Sequence, residues 1–579
     1  MAALALTTLG SCNDFLTIYP TDRIVGDDFW KTKKDVDQMV DGCYLSMLDY
    51  SIMERAIMWG AYRSDELLKL ADHNDNTLDN ISAVNLLPTN RYNSWSAFYK
   101  VINNCNIVLN HAPEVMVEDP EFTEGDYQVV RAQMLALRSL CYFYLVRAFR
   151  DVPYTTHSYE DDSQVELLEQ LPPETVLQNC LDDLQEAGRY IMKSGAYGRN
   201  DWRNWGYMTR DAVHALMADI YLWRAAMTHS QADYQQAIVM TDSVINSKDA
   251  YYKRYQEIEI TDMEEDRYHL EDGLSAFYYI FNTNQGNSHE SILEWQYNGR
   301  NNSNQALENY YYQSGDKNNY RSTGILMASP MFNTVAKNAN TIDALKLYLS
   351  TNDYRFWNNV YEANNEEAEQ LAIRKMVETD DVIIDVASVT GPRKSNDRNF
   401  EEFRQNWIVY RLTDVMLMQA EALVETAAND SDEVALRKAF NLVQAVNKRS
   451  MKKNATDTLK YENFKSKEDM ELLVLNERER ELCFEGKRYF DLMRFGYRHM
   501  EGVNIRQRLA DTDAWPELYA PMLKLIVRKY GGGGEGDAVI YKMKSEPYLY
   551  WPIEESEIKV NNLLKQNPVF KQEKSISKN

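Results

Sequence analysis

The stretch Asn476-Glu-Arg-Glu-Arg-Glu-Leu-Cys-Phe-Glu-Gly-Lys-Arg-Tyr-Phe-Asp-Leu-Met-Arg-Phe-Gly496 alternates charged and apolar residues at helical spacing. Glu477, Glu481 and Glu485 fall on one stripe of a helix. Arg478, Arg480 and Arg488 stand where i,i+3 or i,i+4 ion pairs form. Gly486 suits a left-handed C-cap, and Tyr489, Phe490, Leu492 and Phe495 then offer an apolar face to the next element. Charge runs form ion-paired or solvated faces far more often than catalytic carboxylate pairs. The stretch is therefore read as structural cement rather than as a site.

Helical periodicity extends outward from it. Residues 407–425 and 434–449 read as a helix pair, and 210–227 with 234–245 as an earlier pair of the same kind. In the earlier pair Ala215, Ala218, Tyr221 and Leu222 are followed by Tyr234, Ala237, Thr241 and Val244. In the later one Leu417, Ala420 and Leu423 are followed by Ala435, Ala439, Val443 and Val446. Small residues at such spacing let two helices approach closely, as in tetratricopeptide repeats. Further helices are predicted over 35–48, 95–109 and 127–149, and over 173–191 behind Pro172-Pro173-Glu174, because proline is tolerated in a first turn.

Residues 250–400 differ. They are rich in Asn, Asp, Gly, Tyr and Trp, with strand-like pieces at Phe277-Tyr-Tyr-Ile-Phe281 and Ser291-Ile-Leu-Glu-Trp295. The expected fold is mainly α, a tetratricopeptide-like helix-pair scaffold with a large irregular, loop-rich insertion lobe holding a few short strands. The expected division is 12–249, 250–400 and 401–579, behind a processing segment at 1–11. A rigid frame carrying long polar-aromatic loops is a common way to build a binding surface.

A chain of 579 residues exceeds what one core supports. Its net charge of −25 argues against a nucleic-acid partner, which needs a basic face. Tyrosine (39) and tryptophan (11) together outnumber phenylalanine (18), so most rings carry a polar edge suited to half-wet surfaces. That bias fits a carbohydrate-contacting surface or a body rich in helix-packing tyrosines. Cys43, Cys105, Cys141, Cys180 and Cys483 stand singly among apolar residues and form no disulfide framework.

The chain opens with an apolar run, Ala2 to Leu9, followed by Gly10-Ser11-Cys12. The run is far shorter than the about 20 residues a membrane span needs. It reads as the end of a lipoprotein signal peptide, with Cys12 as the acylated first residue of the mature chain. No basic n-region precedes it, which marks Met1 as a truncated or misassigned start.

Taken in order, these motifs resemble the SusD/RagB family. The stretch 476–496 is similar to its most characteristic motif, and Tyr550-Trp-Pro-Ile-Glu-Glu-Ser-Glu-Ile558 with Gln566-Asn-Pro568 to its closing segment. Trp95, Tyr99, Ile102 and Asn106 resemble its first helix, Arg131 to Tyr144 the next, and Cys12-Asn-Asp-Phe-Leu16 its lipidated start. The resemblance implies a lipid-anchored, surface-exposed protein of a Bacteroidetes outer membrane, a lid over a SusC-like, TonB-dependent barrel. It also implies capture of oligosaccharides, less often peptides, without covalent chemistry.

For sugar capture, flat rings must stack on apolar sugar faces with amide, carboxylate or arginine groups at hydroxyl distance. Two clusters offer this. The first is Asn74, Asp75, Arg91, Tyr92 and Trp95, although Trp95 also suits a packing position at a helix start. The second is Trp295, Tyr297, Asn301 and Asn302, then Tyr310, Tyr311, Tyr312 and Arg321. Three consecutive tyrosines cannot all face one core on a strand or a helix, so at least one is expected at the surface.

Catalytic motifs are missing from the sequence: no HExxH, no GxSxG, and no GK[ST] after the glycine run 531–534. That run reads as a hairpin tip before a strand at 538–543. No metal or cofactor is expected; a structural calcium at an Asp-rich turn stays open, although no turn has EF-hand spacing. The leading expectation is a non-enzymatic, glycan-binding surface lipoprotein. Peptide cargo is one alternative, and a surface glycoside hydrolase with carboxylates about 5 to 9 Å apart is the other.

Overall fold

The structure, a computed structural model, describes residues 29–161, 166–255, 268–282, 286–299, 302–312, 324–333, 347–360, 371–377, 403–512, 514–530 and 534–570. The expectations for Cys12, Asn301, Arg321 and the first three glycines of the run 531–534 lie outside these residues.

The molecule is built from helices that pack one on the next. Ser96–Glu118 packs on Glu124–Phe149, which packs on Pro173–Tyr190, and that on Arg210–Thr228. Arg210–Thr228 pairs with Gln231–Tyr255, and Gln231–Tyr255 continues directly onto Leu412–Thr426. Leu412–Thr426 pairs in turn with Glu433–Ser450 and Lys467–Leu482. The stack thus runs across the long excursion between its two halves.

Local chemistry starts the helices where the sequence indicates. Thr123 and Asp126 form a reciprocal capping box, and Pro173 occupies the first helical turn. Every residue from Ala132 to Phe149 is buried, because other helices flank that segment. The helix has the length and hydropathy of a membrane span, yet 89% of its apolar window is buried inside the fold. Cys43, Cys105, Cys141, Cys180 and Cys483 are buried and free, small hydrophobes of the core.

Among the described residues, three two-stranded antiparallel ladders accompany the helices: Leu67–Lys69 with Leu326–Ala328, Val152–Pro153 with Gln170–Leu171, and Ser291–Trp295 with Trp407–Arg411. Three local expectations are corrected. Trp407–Arg411 is a strand, not the first turn of a helix; its five residues are all buried, and the β-branched and aromatic run pairs with 291–295. Residues 277–281 are helical, with Phe277, Ile280 and Phe281 buried at i, i+3 and i+4 while Tyr278 and Tyr279 stay exposed. Gly534–Lys542 is a helix where a strand was expected, with Val539 in the core.

The stretch 476–496 forms a buried charge hub. The helix ends at Leu482, so Glu485 lies beyond it and the expected single stripe is broken. Local i,i+3 pairs remain at Glu477–Arg480 (2.7 Å) and Asp491–Arg494 (2.7 Å). Most partners come from distant segments. Glu481 bonds Arg411 (2.6 Å), Arg355 (2.9 Å) and Arg449, and Glu485 bonds Lys375 and Arg411, both at 2.8 Å. Arg488 reaches Asp65 at 2.9 Å, and Arg478 reaches Asp414 at 3.0 Å. Buried charges persist only when paired in this way. Gly486 has φ of +69°, and a Cβ there would lie 2.7 Å from the Ala56 carbonyl and 2.9 Å from Trp407. Only glycine fits.

Candidate ligand-binding site

The strand 291–295 delivers its C-terminal end to a cleft of about 640 Å³. Trp295, Gln296, Tyr297 and Asn298 form one wall, with Leu293 behind them. An amide network holds this wall in place. Asn406 accepts from the Tyr297 backbone N–H (2.8 Å) and donates to Glu294 (2.8 Å) and Gln296 (3.1 Å). Gln296 and Asn287 exchange a second pair of hydrogen bonds at 2.8 and 3.1 Å. Burial pushes the Glu294 carboxyl upward, opposed by hydrogen bonds from Asn406 and the Asn287 backbone.

A second part of the lining is one face of the helix Lys33–Ser46. Gln38, Asp41 and Leu45, then Leu48 just past the helix end, follow the i, i+3, i+7, i+10 spacing of a helical stripe. Its N-cap is a Thr32–Asp35 capping box. Tyr44 stacks on Tyr207, with centroids 4.3 Å apart and planes 10° apart. The Tyr207 phenol donates to Asp41. Burial raises that phenol's pKa, and the bond to the carboxylate raises it further. Trp202 stands edge-on to Tyr207 at 5.3 Å and is 47% exposed at the mouth. A side chain at Gly206 would meet Gln296 and Trp202 within 2.7 Å, so glycine is needed where these walls converge.

A smaller hollow of about 210 Å³ adjoins the cleft, lined by Tyr50, Met53, Ser303, Asn304, Gln305 and Ala306. Leu48, Tyr297 and Asn302 belong to both spaces. The Trp295 indole N–H and the Tyr297 hydroxyl are covered and have no hydrogen-bond partner among the described residues. Each carries the cost of an unmade bond.

Of the sequence candidates, the fold brings Trp295, Tyr297 and Asn302 into the cleft. The others go elsewhere. Asn74 is exposed, and Asp75 caps the helix Asn76–Ser82 through the Thr77 and Leu78 N–H groups while pairing with Arg91 at 3.4 Å. Arg91 lies over the Tyr92 ring at 4.7 Å. The Tyr92 and Tyr310 hydroxyls meet at 3.1 Å, and Tyr310 also donates to Glu54. The two clusters therefore touch, but beneath the surface.

Two expectations are corrected by burial. Trp95 is 4% exposed and packs edge-on against Phe149 (5.1 Å) and Tyr99 (5.6 Å), with no face for a sugar. Tyr310, Tyr311 and Tyr312 are all buried. The helix Gln305–Tyr310 ends there, and the chain turns so that each ring finds a different partner. Tyr311 donates to the Phe484 carbonyl at 3.1 Å, and Tyr312 packs edge-on to Phe403 at 5.2 Å.

The polar and aromatic lining residues not foreseen are Gln38, Asp41, Tyr44, Trp202, Tyr207, Asn287 and Asn298. Asp201-Trp-Arg-Asn-Trp-Gly-Tyr207 carries the same aromatic-polar mixture as the 295–302 segment and was the available signal. Among the described residues no group of three or more His, Cys, Asp or Glu could hold a metal ion.

A helical stack holding open a cleft of rings and amides has the build of a ligand-binding protein. Residues 221–570 match the model of the SusD family, and residues 14–222 match a family described as starch-binding and associating with the outer membrane. The chain belongs to the SusD family. SusD-like protein P2 of Formosa agariphila is 23% identical over 506 residues, covering 84% of this chain and 88% of the relative. A SusD superfamily protein from Bacteroides fragilis NCTC 9343 has the same fold, with TM-score 0.64, 19% identity, and coverage of 94% of this chain and 100% of that one. B. fragilis NanU is similar in fold as well, with TM-score 0.62 and 17% identity over 96% of this chain and 100% of its own.

Proposed function

We propose that this chain is a cell-surface lipoprotein that captures an oligosaccharide in the cleft and passes it, unaltered, to a SusC-like TonB-dependent transporter in the outer membrane. The observation that carries the binding reading is the half-exposed Trp202 ring, edge-on to Tyr207, in a cleft also lined by Asp41, Trp295, Tyr297 and amides. The Trp202 ring supplies a stacking face for sugar C–H groups; Asp41, Gln38, Gln296 and Asn298 supply hydroxyl partners. Family membership and the lipobox-like Leu9-Gly-Ser-Cys12 support the outer-membrane tether and the transporter partner.

Isothermal titration of the purified chain against a glycan panel and a peptide panel tests the cargo. Saturable glycan binding with full recovery of the intact sugar by chromatography is expected. Binding confined to peptides, or shortened sugar products, overturns the reading.

A further inference from the structure

We infer that the cleft takes the interior of a sugar chain long enough to pass from the larger hollow into the smaller one, and does not cap a chain end. This inference rests on the glycan-capture reading above.

The larger hollow alone has the size of an ordinary small-ligand pocket, whereas about 210 Å³ is too little for a separate one. The smaller hollow is therefore a subsite. Leu48, Tyr297 and Asn302 line both spaces, so the two hollows are neighbours on the same three residues.

Each hollow is lined by exposed side chains, Trp202 and Gln38 in the larger and Tyr50 and Gln305 in the smaller. Tyr50 is 37% exposed, and its hydroxyl accepts from the Asn309 amide at 3.1 Å, which orients its ring. An exposed aromatic ring on each hollow, with amides lining both, suits a chain long enough to touch both rings. A pocket closed at one end would select a terminal unit instead.

The test is calorimetry with the full chain against size-graded malto-, laminari-, cello-, xylo- and manno-oligosaccharides, from disaccharide to octasaccharide. In the series that binds, affinity should rise at least about tenfold with length, then level off once both hollows are filled. Reducing the chain end to the alditol should leave the longest member's affinity within about twofold. Tyr50→Ala and Gln305→Ala, both at exposed positions, should flatten the length dependence; circular dichroism confirms that each variant is folded. Equal affinity for the shortest and longest binders, or loss of binding on end reduction, overturns this inference but leaves glycan capture standing. Failure of every series to bind overturns the glycan reading itself, and this inference with it.

Discussion

Trp295 and Trp407 stand directly opposite each other in the antiparallel ladder 291–295/407–411. At the other end of the same ladder Ser291 faces Arg411, whose guanidinium grips Glu481 and Glu485 of the charge hub. The cleft wall is therefore bolted through one short strand to the buried charge hub. That coupling gives the cleft a preset geometry and spares the ligand the cost of ordering it.

Trp202→Ala should weaken oligosaccharide binding about fivefold to tenfold, the loss of one stacked ring, with little change in melting temperature because the ring is half exposed. Calorimetry and differential scanning fluorimetry measure the two effects. Unchanged affinity would remove Trp202 from the site.

Trp95→Ala should behave in the opposite way. The ring is core, so its loss should cost about 3 to 5 kcal/mol of stability. Chemical denaturation measures this. Trp295→Ala should combine both defects, since that ring lines the cleft while being 4% exposed.

Glu481→Gln leaves Arg411, Arg449 and Arg355 short of a shared buried counter-charge. A loss of about 3 to 5 kcal/mol is expected, as for other broken buried ion pairs. Glycan affinity should fall together with stability, because Arg411 also anchors the strand opposite Trp295. A urea midpoint matching the parent would show that the hub does not carry the fold.

Acid should weaken the protein through Glu421. Burial alone would raise its carboxyl, but Arg494 and Arg498 outweigh burial and hold it at about 2, below its ordinary 4.5. Arg494 approaches both carboxylate oxygens, at 2.8 and 2.9 Å. The contribution is fully present above about pH 4.5 and fades as pH falls toward 2, where the folded state must also take up the proton. It amounts to roughly 3 kcal/mol. Glu421→Gln should be less stable at neutral pH and lose less stability between those limits, measured by urea unfolding across pH.

Cys12→Ala should release the chain from the membrane fraction of the native host into the soluble one. Continued sedimentation with membranes would count against a lipid tether at that residue.

The helical stack was legible because each helix repeats a local rule, apolar residues every three or four positions between a cap and a breaker. The caps at Thr123 and Pro173 and the packing of Ala215, Ala218 and Ala237 follow from neighbours in sequence. The partners in 476–496 were only partly legible. Charge pattern pointed to ion pairing, but Arg355, Arg411 and Asp65 are brought to the hub from far along the chain. The site was least legible. Trp295 and Tyr297 were visible as aromatic residues beside amides, yet Trp95 and the three tyrosines carried the same signal and are core.

Periodicity and end-capping, read from neighbouring residues alone, determined the scaffold and its membership of the helical class. Which rings face a ligand was decided only in three dimensions. A ring is exposed or covered according to what distant segments place against it: Phe149 closes over Trp95, whereas Trp202 is left at an open mouth. No spacing within either segment records that difference.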